Sequence, residues 1–213
     1  MIEQHVSTID YYVWLLSDWA YLGGVRFVQL AARHGLKINH IPMRMQEVYA
    51  GSGGVLLANR SWQRQAYRIT ELKRWRSLLG IPVNIEPKFY PADVDLASCV
   101  VIAAQQRGLP VADFVNAVMR AVWAEDRNVA DPAMLVAIAE RCGLEGCALL
   151  AAADAEAVRA EYRGNTERAL AAGVFGSPFY AFAGELFWGQ DRLDMLEEAI
   201  VRSATGNLGR GPG

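Results

Sequence analysis

The pattern of apolar and polar positions at the start of the chain predicts a strand, a helix and a second strand. Hydrophobic residues alternate along Ser7 to Leu15, the period of two that is typical of a β-strand. Trp19 to Arg33 carries apolar residues at helical spacing and is followed by Gly35, a residue type that often stands just after a helix. Lys37 to Pro42 has the pattern of a second strand. Because a helix connects the two strands, we expect them to be parallel.

The middle of the chain predicts helices only. Gly51-Ser52-Gly53-Gly54 indicates a flexible loop, and no strand-like run follows it before Gly173. Asp131-Pro132 is a helix start signal, because an Asp side chain can accept from free N–H groups and proline suits the first helical position. We expect these helices to form a cluster of their own. The predicted helices are Ser61 to Leu79, Pro91 to Arg107, Val111 to Glu125, Asp131 to Cys142, Glu145 to Ala153 and Asp154 to Ala172.

The last part of the chain predicts a β-hairpin followed by a helix. The aromatic-rich runs Phe179 to Phe182 and Leu186 to Trp188 are separated by a turn at Ala183-Gly184-Glu185. Proline is tolerated at the start of a strand and X-Pro bonds are where cis peptides occur, so Ser177-Pro178 is the candidate cis bond. Apolar residues recur at helical spacing from Gln190 onward, and the unpaired N–H groups of a helix starting there favour an anion.

These patterns indicate an α/β fold with a large inserted helical region. A β-α-β half at residues 1–45 and a β-β-α half at residues 173–206 form one discontinuous domain, which the helical domain 46–172 interrupts. The glycine-rich tail, residues 207–213, is predicted to be disordered.

Composition narrows the classes of partner. With 53% hydrophobic residues the chain can bury a substantial core, and its net charge of -2 comes without any basic run. Neither nucleic acid nor a membrane is therefore expected as a partner, and we expect the protein to bind small molecules. The first residues have no signal-peptide pattern and no stretch is long and apolar enough to span a bilayer, so we expect a cytoplasmic protein.

Cysteine and histidine give no clear site. Cys99, Cys142 and Cys147 lie among apolar or small residues of predicted helices, and they form neither a C-x-x-C pair nor a metal-ligand spacing. We interpret them as reduced structural residues. The three histidines, His5, His34 and His40, are scattered, so neither a metal site nor a catalytic triad is predicted.

The predicted topology, with its proline at the start of the third strand, resembles the thioredoxin fold in its DsbA-like branch. That branch has a reactive C-x-x-C at the start of the first helix, where this chain has Ser17-Asp18-Trp19-Ala20. Ser17 has two interpretations: a plain helix N-cap, or a hydroxyl that holds the thiolate of a separate thiol together with the helix-end N–H groups. The pKa of a thiol, ordinarily about 8.5, must fall by about 1.5 units for the thiol to be mostly ionised at neutral pH. The site must therefore stabilise the thiolate by about 2 kcal/mol.

Four stretches are similar to a known enzyme family: LLSDWAYLGG, RQAYRITELKRWRSLLGIPVNIEPKFYP, AVWAEDRNVADP and GVFGSPFYAFAGELFWGQDRL. They resemble the 2-hydroxychromene-2-carboxylate isomerases, which are related to kappa-class glutathione transferases. The resemblance runs nearly from end to end and implies a homodimer that uses glutathione to isomerise an aromatic hydroxychromene carboxylate to a benzylidenepyruvate. Two alternatives remain open, a kappa-like glutathione transferase or peroxidase, and a non-catalytic thioredoxin-like binding module.

The resemblance also implies roles for the glutathione-binding residues. Ser17 falls at the active-site serine of the family. Ser177, before Pro178, would offer its backbone N–H and C=O to the cysteinyl unit, and such contacts hardly depend on its side chain. Gln190, Asp191 and Arg192, at the start of the last helix, would bind the γ-glutamyl end.

Three residues are implied for the aromatic substrate, and two departures from the family stand nearby. Asn59, Arg64 and Tyr90 match family positions near the ligand. Asp18 stands where relatives commonly have proline, and we expect it to face solvent or cap the helix, since a carboxylate pointing inward would raise the pKa of a neighbouring thiol. Arg44 is either a second carboxylate clamp or a surface charge.

Overall fold

The computed structural model describes residues 7–205 and contains one mixed sheet of four strands. Their order across the sheet is β2-β1-β3-β4, with β1 parallel to β2 and antiparallel to β3, and β3 antiparallel to β4. The predicted strands and the parallel first pair are confirmed. The strands are β1 Thr8–Val13, β2 Lys37–Pro42, β3 Phe179–Phe182 and β4 Glu185–Trp188.

The predicted helices occur in the predicted order, and most of them end within two residues of the prediction. One helix, Met45–Ser52, was not predicted. Asp131 caps its helix as expected, accepting from the Ala133 N–H at 2.9 Å. No helix in residues 7–205 has both the length and the apolarity needed to cross a membrane. The helices are α1 Asp18–Arg33, α2 Met45–Ser52, α3 Trp62–Leu79, α4 Asp95–Gln106, α5 Ala112–Trp123, α6 Pro132–Arg141, α7 Gly146–Ala153, α8 Glu156–Ala171 and α9 Leu193–Ala204.

Three boundaries differ from the prediction. The expected flexible loop at Gly51 to Gly54 is in part the end of α2, which closes on Gly53 in the left-handed conformation. The helix expected from Pro91 begins at Asp95, whose N–H is turned onto the Asp93 carboxylate at 2.8 Å. The α-helix expected from Gln190 begins three residues later, because Gln190–Arg192 forms a 3-10 turn. The predicted disordered tail lies outside the described residues.

The inserted helices share the core of the sheet, so the expectation that they form a cluster of their own is wrong. On one face of β1, Ile9, Tyr11 and Val13 belong to the same buried cluster as side chains of α1, α4, α5 and α6. On the other face, Tyr12 and Phe179 pack with residues of α2 and α8. Both faces of β1 are therefore buried, each against helices. The division of the chain at residues 45 and 173 stays a prediction.

Candidate active site at the start of the first helix

Ser17 caps α1 and lies where the first and third strands approach each other. Its hydroxyl oxygen accepts from the Ala20 N–H at 3.1 Å, and its hydroxyl donates to the Ser177 carbonyl oxygen at 2.9 Å. Only 5% of Ser17 is exposed. The N-cap interpretation is thus confirmed, and such a cap stabilises a helix by about 1 kcal/mol. It leaves the second interpretation open, because the same hydroxyl carries a proton that can be turned to another acceptor.

Ser177 joins the start of β3 to the end of β1. The Ser177–Pro178 bond is cis, as predicted. The Ser177 hydroxyl oxygen accepts from the Trp14 N–H at 2.9 Å, while its carbonyl accepts from Ser17. The expectation that its side chain hardly matters therefore misses a structural role, since this bond links the chain before α1 to the chain before β3.

Two cavities meet at Ser177 and Trp19. The first, here called the Ser17 cavity, has a volume of about 400 Å³ and extends from Ser17 towards α2 and α3. The second, here called the Asp191 cavity, has a volume of about 260 Å³ and extends the other way towards the 3-10 turn before α9. Because both cavities are lined by Ser177 and Trp19, an elongated molecule could lie across the two.

The Asp191 cavity contains the predicted residues of the last helical segment. Gln190 is 2% exposed, and its side-chain oxygen accepts from Arg26 at 2.9 Å. Asp191 and Arg192 form an ion pair at 2.8 Å with each side chain about half exposed, 44% and 46%. Opposite charges thus stand side by side in the lining of the cavity. The remaining wall includes Glu71, Trp75 and Trp188.

Asp18 points into the Ser17 cavity and pairs with Arg68 of α3. One carboxylate oxygen, Oδ2, accepts from both Nε and Nη2 of Arg68 at 2.6 Å, and the other accepts from the Trp19 N–H at 2.8 Å. The two side chains are only 10% and 12% exposed. Asp18 therefore caps a first-turn N–H as expected but does not face solvent, because α3 brings Arg68 across the start of α1.

Arg60 gives the Ser17 cavity a net positive charge. Asp18, Arg60 and Arg68 are the charged members of its lining in the described part of the chain, which leaves one excess positive charge. Arg60 donates from Nε to the Val55 carbonyl at 2.8 Å and from Nη2 to the Tyr49 hydroxyl at 3.1 Å. Both of these partners are neutral, so the charge of Arg60 is available to a bound carboxylate.

Tyr90 presents a protonated hydroxyl to the same cavity. Its ring is half-buried, 5.1 Å from the Trp123 ring, and lines the cavity next to Pro91. Burial raises the pKa of Tyr90, and the nearby charge of Asp18 raises that pKa further. The hydroxyl therefore stays a hydrogen-bond donor at neutral pH.

Comparison with known proteins agrees with this geometry. A family model described as DSBA-like thioredoxin domain matches residues 8–201. The 2-hydroxychromene-2-carboxylate isomerase of Sphingobium xenophagum is 31% identical over 92% of this chain and 98% of its own length. The chain belongs to the 2-hydroxychromene-2-carboxylate isomerase family. An isomerase of the same name from Pseudomonas putida is 29% identical over 91% of this chain and 94% of its own.

Solved structures place the fold in the same family. A 2-hydroxychromene-2-carboxylate isomerase (HCCA isomerase) superposes with a TM-score of 0.75 at 30% identity, covering 94% of this chain and 97% of that one. The cytosolic disulfide reductase DsbM of Pseudomonas aeruginosa with GSH shares the fold, with a TM-score of 0.63 at 21% identity over 93% and 96% of the two chains. The names of the isomerase relatives support an isomerase activity for the family member described here.

The predicted residues of this isomerase family member do not all come together. Ser17, Ser177 and Tyr90 line the Ser17 cavity, and the 190–192 segment lines the Asp191 cavity. Asn59 and Arg64 are exposed and are not among the residues that line either cavity. Their assignment to the substrate stays a prediction.

Arg44 and the cysteines lie away from the two cavities. Arg44 pairs with Glu47 and Asp95, each at 3.3 Å, and its guanidinium lies 4.9 Å from the Tyr162 ring centre. Its charge is thus paired with two carboxylates, and its assignment as a second carboxylate clamp or a surface charge stays a prediction. Cys99 is buried as expected for a structural residue, whereas Cys142 is half-buried and Cys147 is exposed.

Proposed function

We propose that this protein is a glutathione-dependent isomerase that converts a 2-hydroxychromene-2-carboxylate-like aromatic substrate to its benzylidenepyruvate form. The observation that carries the proposal is the position of the Ser17 hydroxyl: buried, at the start of α1, and beside the junction of two cavities. One cavity is aromatic with an excess positive charge, and the other holds a pair of opposite charges. A helix start and a hydroxyl donor together favour a negative charge at that junction.

The Asp191 cavity fits the γ-glutamyl end of glutathione. That end carries an ammonium and a carboxylate on one carbon, and Asp191 with Arg192 offers one partner to each. The buried Gln190 side chain accepts a hydrogen bond from Arg26, and this bond anchors the segment to α1. α1 lies so close to this segment that a Cβ on Gly23 would stand 2.6 Å from the Gln190 Cβ.

Ser177 and Ser17 can exchange one hydrogen bond for two when the tripeptide binds. In the free protein the Ser17 hydroxyl donates to the Ser177 carbonyl. A cysteinyl N–H that replaces it as donor to Ser177 would release the Ser17 hydroxyl to face the sulfur. Ser17 would then hold the thiolate with the field of the helix, while its oxygen still caps Ala20.

When bound, glutathione supplies a thiolate nucleophile that adds reversibly to a conjugated carbon of the substrate and is released unchanged. The protein's part is to hold and orient the reacting groups. Trp14, Tyr49 and Tyr90 offer aromatic surface in the Ser17 cavity, and Arg60 offers a cation for the substrate carboxylate. The Tyr90 hydroxyl can donate to the ring or phenol oxygen.

An assay that follows substrate and glutathione together tests the proposal. Calorimetry should first show binding of glutathione, and of S-methylglutathione more weakly, because the methyl group removes the thiolate. Isomerisation should then require glutathione without consuming it. Stoichiometric loss or oxidation of glutathione would instead indicate the transferase or peroxidase alternative, and a protein that binds no glutathione would indicate the non-catalytic module.

The homodimer implied by the sequence resemblance is proposed as well. Sedimentation equilibrium measures the assembled mass directly. A single species at the mass of one chain, 23.5 kDa, would contradict it.

A further inference from the structure

The buried carboxylate of Asp18 is electrostatically unsuited to a thiolate site. Asp18 is the first residue of α1, directly after Ser17, and lines the same cavity. It is 7% exposed, so water screens its charge poorly. A negative charge at this place would oppose the ionisation of any thiol held by Ser17.

Arg68 meets this charge from another element. Its Nε and Nη2 both bond to Oδ2 of Asp18 at 2.6 Å, across a sequence separation of 50 residues. Its guanidinium carbon also lies 5.5 Å from the Trp123 ring centre and 5.9 Å from that of Tyr90. The carboxylate on one side and two aromatic rings on the other hold the guanidinium in place.

We propose that Arg68 is a positioning residue that neutralises Asp18 beside Ser17, so that the start of α1 can hold an anionic sulfur. Asp18 and Arg68 then act as one matched unit, in which the acid caps the Trp19 N–H and ties α3 to α1 while the base cancels its charge. The inference rests on the proposed function, because the anionic sulfur is that of bound glutathione.

The other charged and titratable groups around Ser17 are not substituted in the variants of this test. Arg60 and the Tyr49 and Tyr90 hydroxyls face it from the Ser17 cavity, and they stay the same in every variant used below. On the opposite side, the Asp191 cavity contributes the acids Glu71 and Asp191 and the base Arg192. A shift caused by altering Arg68 or Asp18 can therefore be assigned to the pair itself.

The test measures the ionisation of bound glutathione by its ultraviolet thiolate absorbance as a function of pH, with each protein saturated with the tripeptide. Arg68→Gln should raise the pKa of the bound thiol by about one unit, since it leaves Asp18 unneutralised. Asp18→Asn, which keeps the shape of the side chain, should lower that pKa, because Arg68 is then an unpaired cation near the sulfur. The double variant should return close to the unaltered protein.

A matched control comes from an ion pair outside both cavities. Arg163 of α8 pairs with Glu156 at 2.6 Å, and the two side chains are 49% and 78% exposed, so Arg163→Gln removes an exposed ion pair that does not line the site. This variant should leave the pKa of the bound thiol within about 0.3 units of the unaltered protein, because an exposed charge is screened by water.

Three outcomes would overturn the inference. One is an unchanged thiol pKa in Arg68→Gln while glutathione still binds. Another is an unchanged or raised pKa of the bound glutathione thiol in Asp18→Asn. This outcome can be measured even if Arg68→Gln does not fold. In both cases the proposed function survives, because the unaltered protein still binds glutathione as thiolate. The third is an unaltered protein without bound thiolate, which removes the proposed function together with the inference.

Discussion

The two walls of the candidate site are built in different ways. The inner wall consists of Ser17, Ser177 and Gln190, which are 5%, 7% and 2% exposed and are fixed by short bonds at the ends of strands and helices. The outer wall consists of Arg60, Arg68 and Tyr90, half-buried side chains that reach the cavity from the helical insertion and the segments around it. Backbone geometry positions the first set, whereas the packing of α3 and of the segments on either side of it positions the second.

This difference separates the roles that we propose for the two walls. The inner wall holds groups that any thiol-dependent member of the fold would need: a capped helix start and a backbone carbonyl beside it. The outer wall holds charge and aromatic surface that would select a substrate. Alteration of Ser17 should therefore change the rate of the chemical step, whereas alteration of Arg60 should mainly change substrate affinity. Arg68 differs from Arg60, because it acts through the charge of Asp18.

The largest effect is expected for Ser17→Ala. Loss of the hydroxyl that holds the thiolate should lower kcat/KM by about 100-fold to 1,000-fold, the range for removing a donor to a developing charge. The loss of the N-cap should cost about 1 kcal/mol of unfolding free energy. Steady-state kinetics and chemical denaturation measure the two effects.

Ser61→Ala is the control for Ser17→Ala. Ser61 is the N-cap residue of α3, but its side chain makes no cap hydrogen bond. Its removal should change neither kcat/KM nor stability appreciably. If Ser17→Ala were as active as Ser61→Ala, Ser17 would be a cap residue only and the inner wall would have no catalytic role.

The next largest effect is expected on the outer wall, for Arg60→Gln. Removing the cation whose partners are neutral should raise the KM of the aromatic carboxylate about tenfold with little change in kcat, because a partly exposed charge contributes little more than 1 kcal/mol. Initial rates over a range of substrate concentrations measure this.

Arg64→Gln sharpens the same comparison. The sequence resemblance implies that Arg64 binds the substrate, whereas the lining of the Ser17 cavity favours Arg60 as the residue that binds the substrate carboxylate. A raised KM in Arg64→Gln with a normal KM in Arg60→Gln would support the assignment from the sequence and would require α3 to turn or shift when substrate binds.

The inner wall could be predicted from the sequence because its signals are local. An alternating strand followed by a serine and a helical pattern predicts an N-cap at Ser17, and a proline at the start of an aromatic run predicts the cis bond after Ser177. The α-helix predicted to start at Gln190 starts at Leu193 instead, after a 3-10 turn at Gln190–Arg192. The bond from Ser177 to the Trp14 N–H could not be predicted, since it joins residues 163 positions apart.

The outer wall could not be predicted because several arginines in one segment look equivalent. Arg60, Arg64 and Arg68 share a charge and lie close together in the sequence, and only the packing of α3 against α1 brings Arg68 to Asp18. A usable signal was present in Asp18 itself. An acid at the start of a mostly apolar helix requires a basic partner if it is buried.

A smaller effect is expected in the Asp191 cavity, for Asp191→Asn. Asp191 is 44% exposed on its side chain and already paired with Arg192, so its contribution to binding an ammonium is screened by water. The Kd of glutathione should rise about fivefold, with kcat unchanged at saturation. Calorimetry measures the Kd. Asp194→Asn, in the first turn of α9 and outside both cavities, should leave the Kd unchanged; equal effects of the two variants would indicate a general charge effect of the segment.

An effect as small as that of Asp191→Asn is expected for Tyr90→Phe, and its pH dependence separates two roles of the hydroxyl. A neutral hydrogen bond contributes about 1 kcal/mol, so kcat/KM should fall by about fivefold. Burial and Asp18 raise the pKa of Tyr90 above its ordinary value, so the hydroxyl stays protonated through the neutral and mildly alkaline range. The alkaline limb of the pH–rate profile should therefore be the same in Tyr90→Phe and in the unaltered protein. The control is Tyr67→Phe, on the exposed side of α3, which should match the unaltered protein at every pH. A limb that disappears in Tyr90→Phe alone would mean that Tyr90 loses its proton during turnover, and the outer wall would then take part in the chemistry.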